Sequence, residues 1–237
     1  MSPSKETNRS LVGNDVVDID YCELPLYWHV RHLDRVCTPE EAKCIRASAD
    51  PVRALAVIWA AKEATFKLVS KGSDLGFVPR RFVSEIEGHD PAKIDKKLSI
   101  FYAKEQSEVR IFVEDGYVHA AAFCPGTDIM CAVRGLGKRE HGADDAMHES
   151  KEVRSLAKFL SCELGFAELE LEFEGRVPRV RNLTNKRPSI DVSLSHHGRF
   201  VAAALAWRAE ELPNGELKRV AHQAVWDLEA GCFTCTV

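Results

Sequence analysis

The chain has 237 residues, 45% hydrophobic and 29% charged, with a net charge of −4 from 32 basic and 36 acidic side chains. This is the composition of a folded globular chain with one large or two small domains, and it excludes collagen, coiled coil and disorder as the main state. The acidic balance sets nucleic-acid binding aside, and no apolar run reaches the ~18 residues of a membrane helix.

Residues 1–12 are polar and read as a loose arm without an apolar leader, so a cytoplasmic, reducing location is expected. The eight cysteines are accordingly read as free thiols. Cys37, Cys44, Cys124 and Cys131 read as small core hydrophobes. Cys232 and Cys235 form a C-x-x-C pair without further ligands or the flanking strand and helix of a redox site. From Gly13 to Asp20, apolar and acidic residues alternate. Thr38-Pro39-Glu40-Glu41 starts a helix, with a threonine cap, an early proline and a glutamate at the third position. Asp50-Pro51 starts a second, which runs uninterrupted through 52–71 and stops at Gly72.

The period then falls to two. Strands are expected over 98–102, 109–113, 118–123 and 129–133. The glycine-rich, charged stretch 135–145 reads as a linker, and 146–164 as a helix. Strands follow over 169–173, 190–194 and 200–207, and a last amphipathic helix over 216–230 ends at Gly231. Val52-Arg53-Ala54-Leu55-Ala56 has a near copy in Val153-Arg154-Ser155-Leu156-Ala157, each within a long helix. Each helix is followed later by a strand, a turn and a strand. The turns are Cys124-Pro125-Gly126-Thr127 in the first half and Ser195-His196-His197-Gly198 in the second. The expected architecture is therefore α+β, two similar lobes forming a pseudo-dimer with a cleft where they meet. Its parts would be an arm over 1–12, a first lobe over 13–134, the linker 135–145, a second lobe over 146–207, and a helix and tail over 208–237.

Three groups of residues carry chemistry. Asp15, Asp18 and Asp20 form an acidic cluster. Glu63 and Lys67 are one turn apart on a helix whose neighbours Trp59, Ala60, Ala61, Ala64 and Phe66 mark it as partly buried, where charges need partners. Finally, Ser193, Ser195, His196, His197 and Arg199 concentrate polar groups at a turn between two apolar strands, which suits a phosphate.

In this order the three groups resemble the 4′-phosphopantetheinyl transferase superfamily. Gly13-Asn14-Asp15-Val16 matches its G-x-D-[IV] strand, and Trp59-Ala60-Ala61-Lys62-Glu63-Ala64-Thr65-Phe66-Lys67 its [FW]-x-x-K-E-[AS]-x-x-K helix. Ser193-Leu194-Ser195-His196 matches its S-x-S-H strand, and Arg187-Pro188 its G-[KR]-P element, with Lys186 in place of glycine. The histidine motif comes last, as in the small holo-acyl-carrier-protein synthase type, while the length is that of the two-lobed type. The resemblance implies Mg²⁺-dependent transfer of 4′-phosphopantetheine from coenzyme A to a serine of an apo acyl or peptidyl carrier protein, releasing 3′,5′-ADP. Mn²⁺ stays open as the metal.

By position, Asp15 and Glu63 would hold the metal, with Asp18 open as a further ligand and Val17 where the two-lobed type has a third acid. Glu63 and Lys67 would be catalytic, and Lys62, Arg187, Ser195 and His196 would bind coenzyme A. His197 and Arg199 are weaker candidates for the same task. One active cleft in a monomeric chain is expected, with no nucleic acid or membrane partner. The alternative is a weakened relative that binds coenzyme A or a carrier protein without transfer.

Overall fold

The computed structural model describes residues 11–22, 30–86, 89–94, 96–136, 145–165, 169–175, 177–182, 190–208, 224–227 and 232–235. Strand β1 (Val12–Asp18) leads into two short helices, α1 (Ile19–Cys22) and α2 (Val30–Val36). Helix α3 (Pro39–Ala47) starts as the sequence indicates: Thr38 Oγ1 accepts from the Glu41 N–H, and Glu41 returns the bond to the Thr38 N–H, a complete capping box. Helix α4 (Pro51–Ser70) has Asp50 as its cap, accepting from the Arg53 N–H at 3.0 Å.

Strands β2 (Val83–Ser84), β3 (Lys96–Tyr102), β4 (Glu105–Glu114) and β5 (Tyr117–Phe123) follow. With β1 they form an antiparallel sheet in the order β1-β5-β4-β3-β2. The remaining elements are β6 (Asp128–Gly135), α5 (Asp145–Glu163), β7 (Leu169–Glu174), β8 (Val177–Asn182), β9 (Asp191–His197), β10 (Phe200–Trp207), β11 (Ala224–Asp227) and β12 (Cys232–Cys235). The second sheet runs β12-β11-β6-β10-β9, and β7 and β8 form a hairpin.

Strands β1 and β5 of the first sheet are buried on both faces, as are β6 and β10 of the second along most of their length. On the first, Val17, Val118, Ala120 and Ala122 pack against α4. On the second, Ala132, Val201, Ala203 and Leu205 pack against α5. The opposite faces meet through Val12, Ala121, Cys131, Ala204 and Ala206, and through Val16, Val133 and Ala202. The strict two-residue alternation sorts each strand between its own helix and the other sheet, and the alanines let the sheets approach closely.

Most expected elements are present, and the fold is α+β as expected. Several assignments change. Strand β6, expected in the first lobe, pairs along its length with β10 in the second sheet. The Cys124–Thr127 turn thus crosses from one sheet to the other and is no counterpart of the histidine turn. The two-residue turn in the equivalent place is Asp115-Gly116, between β4 and β5. Strand β8 carries Pro178, which masks a strand in sequence but is tolerated in a hairpin. The expected helix over 216–230 is contradicted at 224–227, where Trp226 pairs in parallel with Arg134 of β6 and the strand pairs antiparallel with β12. The sheet edge offers hydrogen bonds that override a helical pattern. The linker's residues 137–144 and the Arg187 element lie outside the described residues.

Candidate active site

Asp15 is on the face of β1 that meets α4. Gly13, two residues earlier on the same face, explains how close the helix comes: a Cβ there would lie 2.0 Å from the Ala64 carbonyl oxygen and 2.5 Å from the Leu68 nitrogen. The close approach brings Lys67 onto Asp15. Lys67 Nζ donates to Asp15 Oδ1 at 2.8 Å and to the Asn14 carbonyl at 3.1 Å, and stands 3.7 Å from Glu63 Oε1. Two carboxylates thus share one ammonium. Burial is the main force pushing the Asp15 carboxyl up, to about 7; Glu63 adds to the rise and Lys67 opposes it. For Lys67, burial works against the charge, but Asp15 and Glu63 outweigh it and hold the ammonium above its ordinary value.

A cavity of about 190 Å³ opens beside this trio. Leu55, Trp59 and Glu63 reach it from successive turns of α4. Asp15 and Val17 come from β1 and His32 from α2. His196 and His197 come from the end of β9 in the other sheet. The sequence puts carboxylates and histidines far apart, and the fold puts them in one cavity.

What joins them is a ladder. The outward N–H groups of β1, an edge strand, donate to side chains of β9: Val12 to Asp191 Oδ2 at 2.7 Å, Asn14 to Ser193 Oγ at 2.9 Å and Asp18 to His197 Nδ1 at 3.0 Å. The sequence separation is 179 in every case, so the register is constant. Side chains here satisfy an edge that would otherwise be unpaired. Lys71 closes the first rung, donating to Asp191 Oδ2 at 2.5 Å and to the Val192 carbonyl at 2.6 Å.

The candidate residues divide accordingly. Asp15, Glu63 and Lys67 come together, and His196 lines the same cavity. Ser195 is in the ladder row, 5% exposed, with its Oγ unpartnered among the described residues. Lys62, expected at coenzyme A, is instead fully buried on the far side of α4, where it pairs with Glu41 and donates to the Val36 carbonyl at 3.0 Å. One step along a helix turns a side chain about 100°, which separates it from Glu63.

Asp18 does not face Asp15 and Glu63. It accepts from Arg199 Nε at 2.8 Å, Nη2 at 2.7 Å and backbone N at 2.9 Å. Arg199 also meets Asp20 at 2.6 Å, so its guanidinium is engaged by two acids where β10 meets the end of β1. Gly198 permits the contact: it has φ +54, and a Cβ there would lie 2.5 Å from Asp18 Oδ2.

Three features of the site escaped the sequence reading. Glu149 of α5 lies 3.0 Å from His196 Nδ1. Asn14 Nδ2 meets His119 Nε2 at 3.3 Å beneath the trio, and burial pushes that imidazole down to about 3. Asp191, and Ser193 which the sequence grouped with the polar turn, form the ladder. Only the alternating polar row of β9 hinted at any of these.

The carboxylates also bear on a metal. Among the described residues no three of His, Cys, Asp and Glu converge on one point. Two carboxylates directed at a single cation, with Asp15 pushed up mainly by burial and further by Glu63, fit a hard divalent ion that takes its remaining oxygens from water and a ligand's phosphates.

Residues 11–122 match the family model described as the 4′-phosphopantetheinyl transferase superfamily, the family whose motifs the sequence resembles. The reaction of that class is transfer of a phosphopantetheinyl group to a carrier protein. Among solved structures, holo-[acyl-carrier-protein] synthase from Neisseria meningitidis aligns at 22% identity with a TM-score of 0.39, over 48% of this chain and 95% of that one. No curated protein matches the chain by sequence. No described helix is long and apolar enough to cross a membrane.

Proposed function

We propose that the chain transfers 4′-phosphopantetheine from coenzyme A to a serine of an apo acyl or peptidyl carrier protein, releasing 3′,5′-ADP, in the cavity between its two sheets. The observation that carries this reading is that Asp15 and Glu63 of the first half line one cavity with His196 and His197 of the second. Asp15 and Glu63 would hold Mg²⁺, or Mn²⁺. The ion supplies positive charge to the diphosphate oxygens and the leaving group when bound.

The chain's own residues do the rest. Lys67, fixed by Asp15 and the Asn14 carbonyl, keeps a positive charge behind the two carboxylates that line the cavity and stabilises the charge that develops on the diphosphate. Glu63 is partly exposed, lines the cavity and stands 3.7 Å from that ammonium. It takes the serine proton directly or through one water. The serine oxygen attacks the phosphorus bearing pantetheine, and the bond to the departing ADP oxygen breaks. His196, oriented by Glu149, binds the nucleotide end, and Ser195 and Arg187 belong to the same binding role.

The recurring strand order, β1-β5-β4 in one half and β6-β10-β9 in the other, supports a duplicated, monomeric pseudo-dimer with one working cleft.

Intact-mass spectrometry of an apo acyl carrier protein incubated with the chain, coenzyme A and Mg²⁺ tests the reading. A gain of one phosphopantetheine, lost with Glu63→Gln while coenzyme A still binds, is expected. Binding without transfer by the wild-type chain across several carrier types would instead identify a weakened relative.

A further inference from the structure

His196 and His197 are adjacent and line the same cavity, yet their surroundings give them opposite hydrogen-bond roles. His196 Nδ1 faces Glu149 Oε2 at 3.0 Å. A carboxylate only accepts, so this nitrogen carries a proton. His197 Nδ1 faces the Asp18 backbone nitrogen at 3.0 Å. A backbone N–H only donates, so here Nδ1 is the bare nitrogen, and the proton of the neutral ring is on Nε2. Tyr21 meets the His197 ring edge-on, 5.2 Å between centroids, and fixes its plane.

The contact with Asp18 is a rung of the ladder that joins the sheets, not a chance surface contact. Nε2 has no partner among the described residues, and the ring borders the cavity. Burial is the main force holding this imidazole below its ordinary value, with His196 adding to the effect and Asp18, Glu63 and Glu149 opposing it. The neutral ring is the form that the backbone contact requires.

We propose that His197 is a preset neutral donor: the Asp18 N–H fixes its tautomer, and its Nε2–H is offered to an anionic oxygen of the ligand in the cavity. On the transferase reading above, on which this assignment of the ligand rests, that oxygen belongs to a phosphate of coenzyme A. The two histidines then divide the work. His196 with Glu149 forms a polar pair in which the acid sets the ring's orientation. His197 adds a directional hydrogen bond without adding charge, and its direction is set before the ligand arrives.

Two measurements on the full chain test this. Long-range ¹H–¹⁵N spectra of the ligand-free protein at neutral pH are expected to show His197 protonated at Nε2 alone. A ring protonated at Nδ1, or at both nitrogens, overturns the proposal.

The second is calorimetry with coenzyme A and Mg²⁺ on two variants. The Asn oxygen of His197→Asn replaces Nδ1 and keeps the rung, but its side chain cannot supply the Nε2 donor. Coenzyme A affinity is expected to fall by about tenfold or more, the loss of a hydrogen bond to a charged group. His197→Gln supplies a donor near the Nε2 position but gives up the rung, and is expected to lose less affinity than His197→Asn. Wild-type affinity in His197→Asn overturns the donor role. A wild-type chain that binds no coenzyme A overturns the ligand assignment together with the transferase reading. The spectra distinguish the two failures, because the tautomer is read without ligand.

Discussion

Lys62 and Glu63 are neighbours in sequence with opposite fates. Glu63 faces the cavity, while Lys62 is fully buried with Glu41, whose other oxygen accepts from the Ser84 N–H at 2.7 Å. The lysine of the K-E pair is therefore structural here, tying α4 to α3 and to β2. Lys62→Met leaves the Glu41 carboxylate buried without its cation and is expected to cost about 3–5 kcal/mol. Urea denaturation measures the loss. Transfer per folded molecule should be unchanged, since nothing at the cavity is altered; a large fall in the rate at full folding would return Lys62 to the active site.

At the scale of elements, the decisive packing is α4 on β1. The G-x-D pattern has two separate physical causes. The aspartate is the carboxylate that the proposed reaction uses, and the glycine is clearance for the helix that brings Lys67 to it. Gly13→Ala forces a Cβ into the backbone of α4 at Ala64 and Leu68, neither of which can yield as a side chain would. A stability loss of about 3 kcal/mol is expected. The displaced helix should also weaken the Asp15–Lys67 contact, so thermal denaturation and transfer should fall together. The C-terminal strands teach the complementary lesson: the apolar spacing near Trp226 suits a helix, but the free edge of β6 offers backbone partners that a helix could not use.

For the whole molecule, the ladder between β1 and β9 is the joint that brings the two histidines to the cavity. Asp191 accepts from the Val12 N–H and from Lys71, whose own charge burial disfavours. Asp191→Ala leaves that ammonium unpaired and is expected to cost about 3–5 kcal/mol. Ser193→Ala removes one neutral acceptor from the Asn14 N–H and should cost about 1–3 kcal/mol. In both variants His196 and His197 lose register with Asp15 and Glu63, so coenzyme A affinity should fall with stability. Stability loss with unchanged affinity, measured by denaturation and calorimetry on the same samples, would show that the joint does not position the site.

Sequence alone determined whatever depends on local order. Capping residues placed α3 and α4, and the two-residue period located most strands. The spacing of four put Glu63 and Lys67 on one helix face, and the motif set pointed to the superfamily whose model matches residues 11–122. Only the tertiary structure decided the rest, because it depends on side chains facing one another across great distances in the chain. It turned Lys62 away from the cavity and Asp18 toward Arg199. It moved β6 into the second sheet, where its hydrogen bonds to β10 outweigh its proximity in sequence to β5. It also gave adjacent histidines different partners: a strand sends neighbouring side chains to opposite faces, one toward Glu149 on α5 and one toward the backbone of β1.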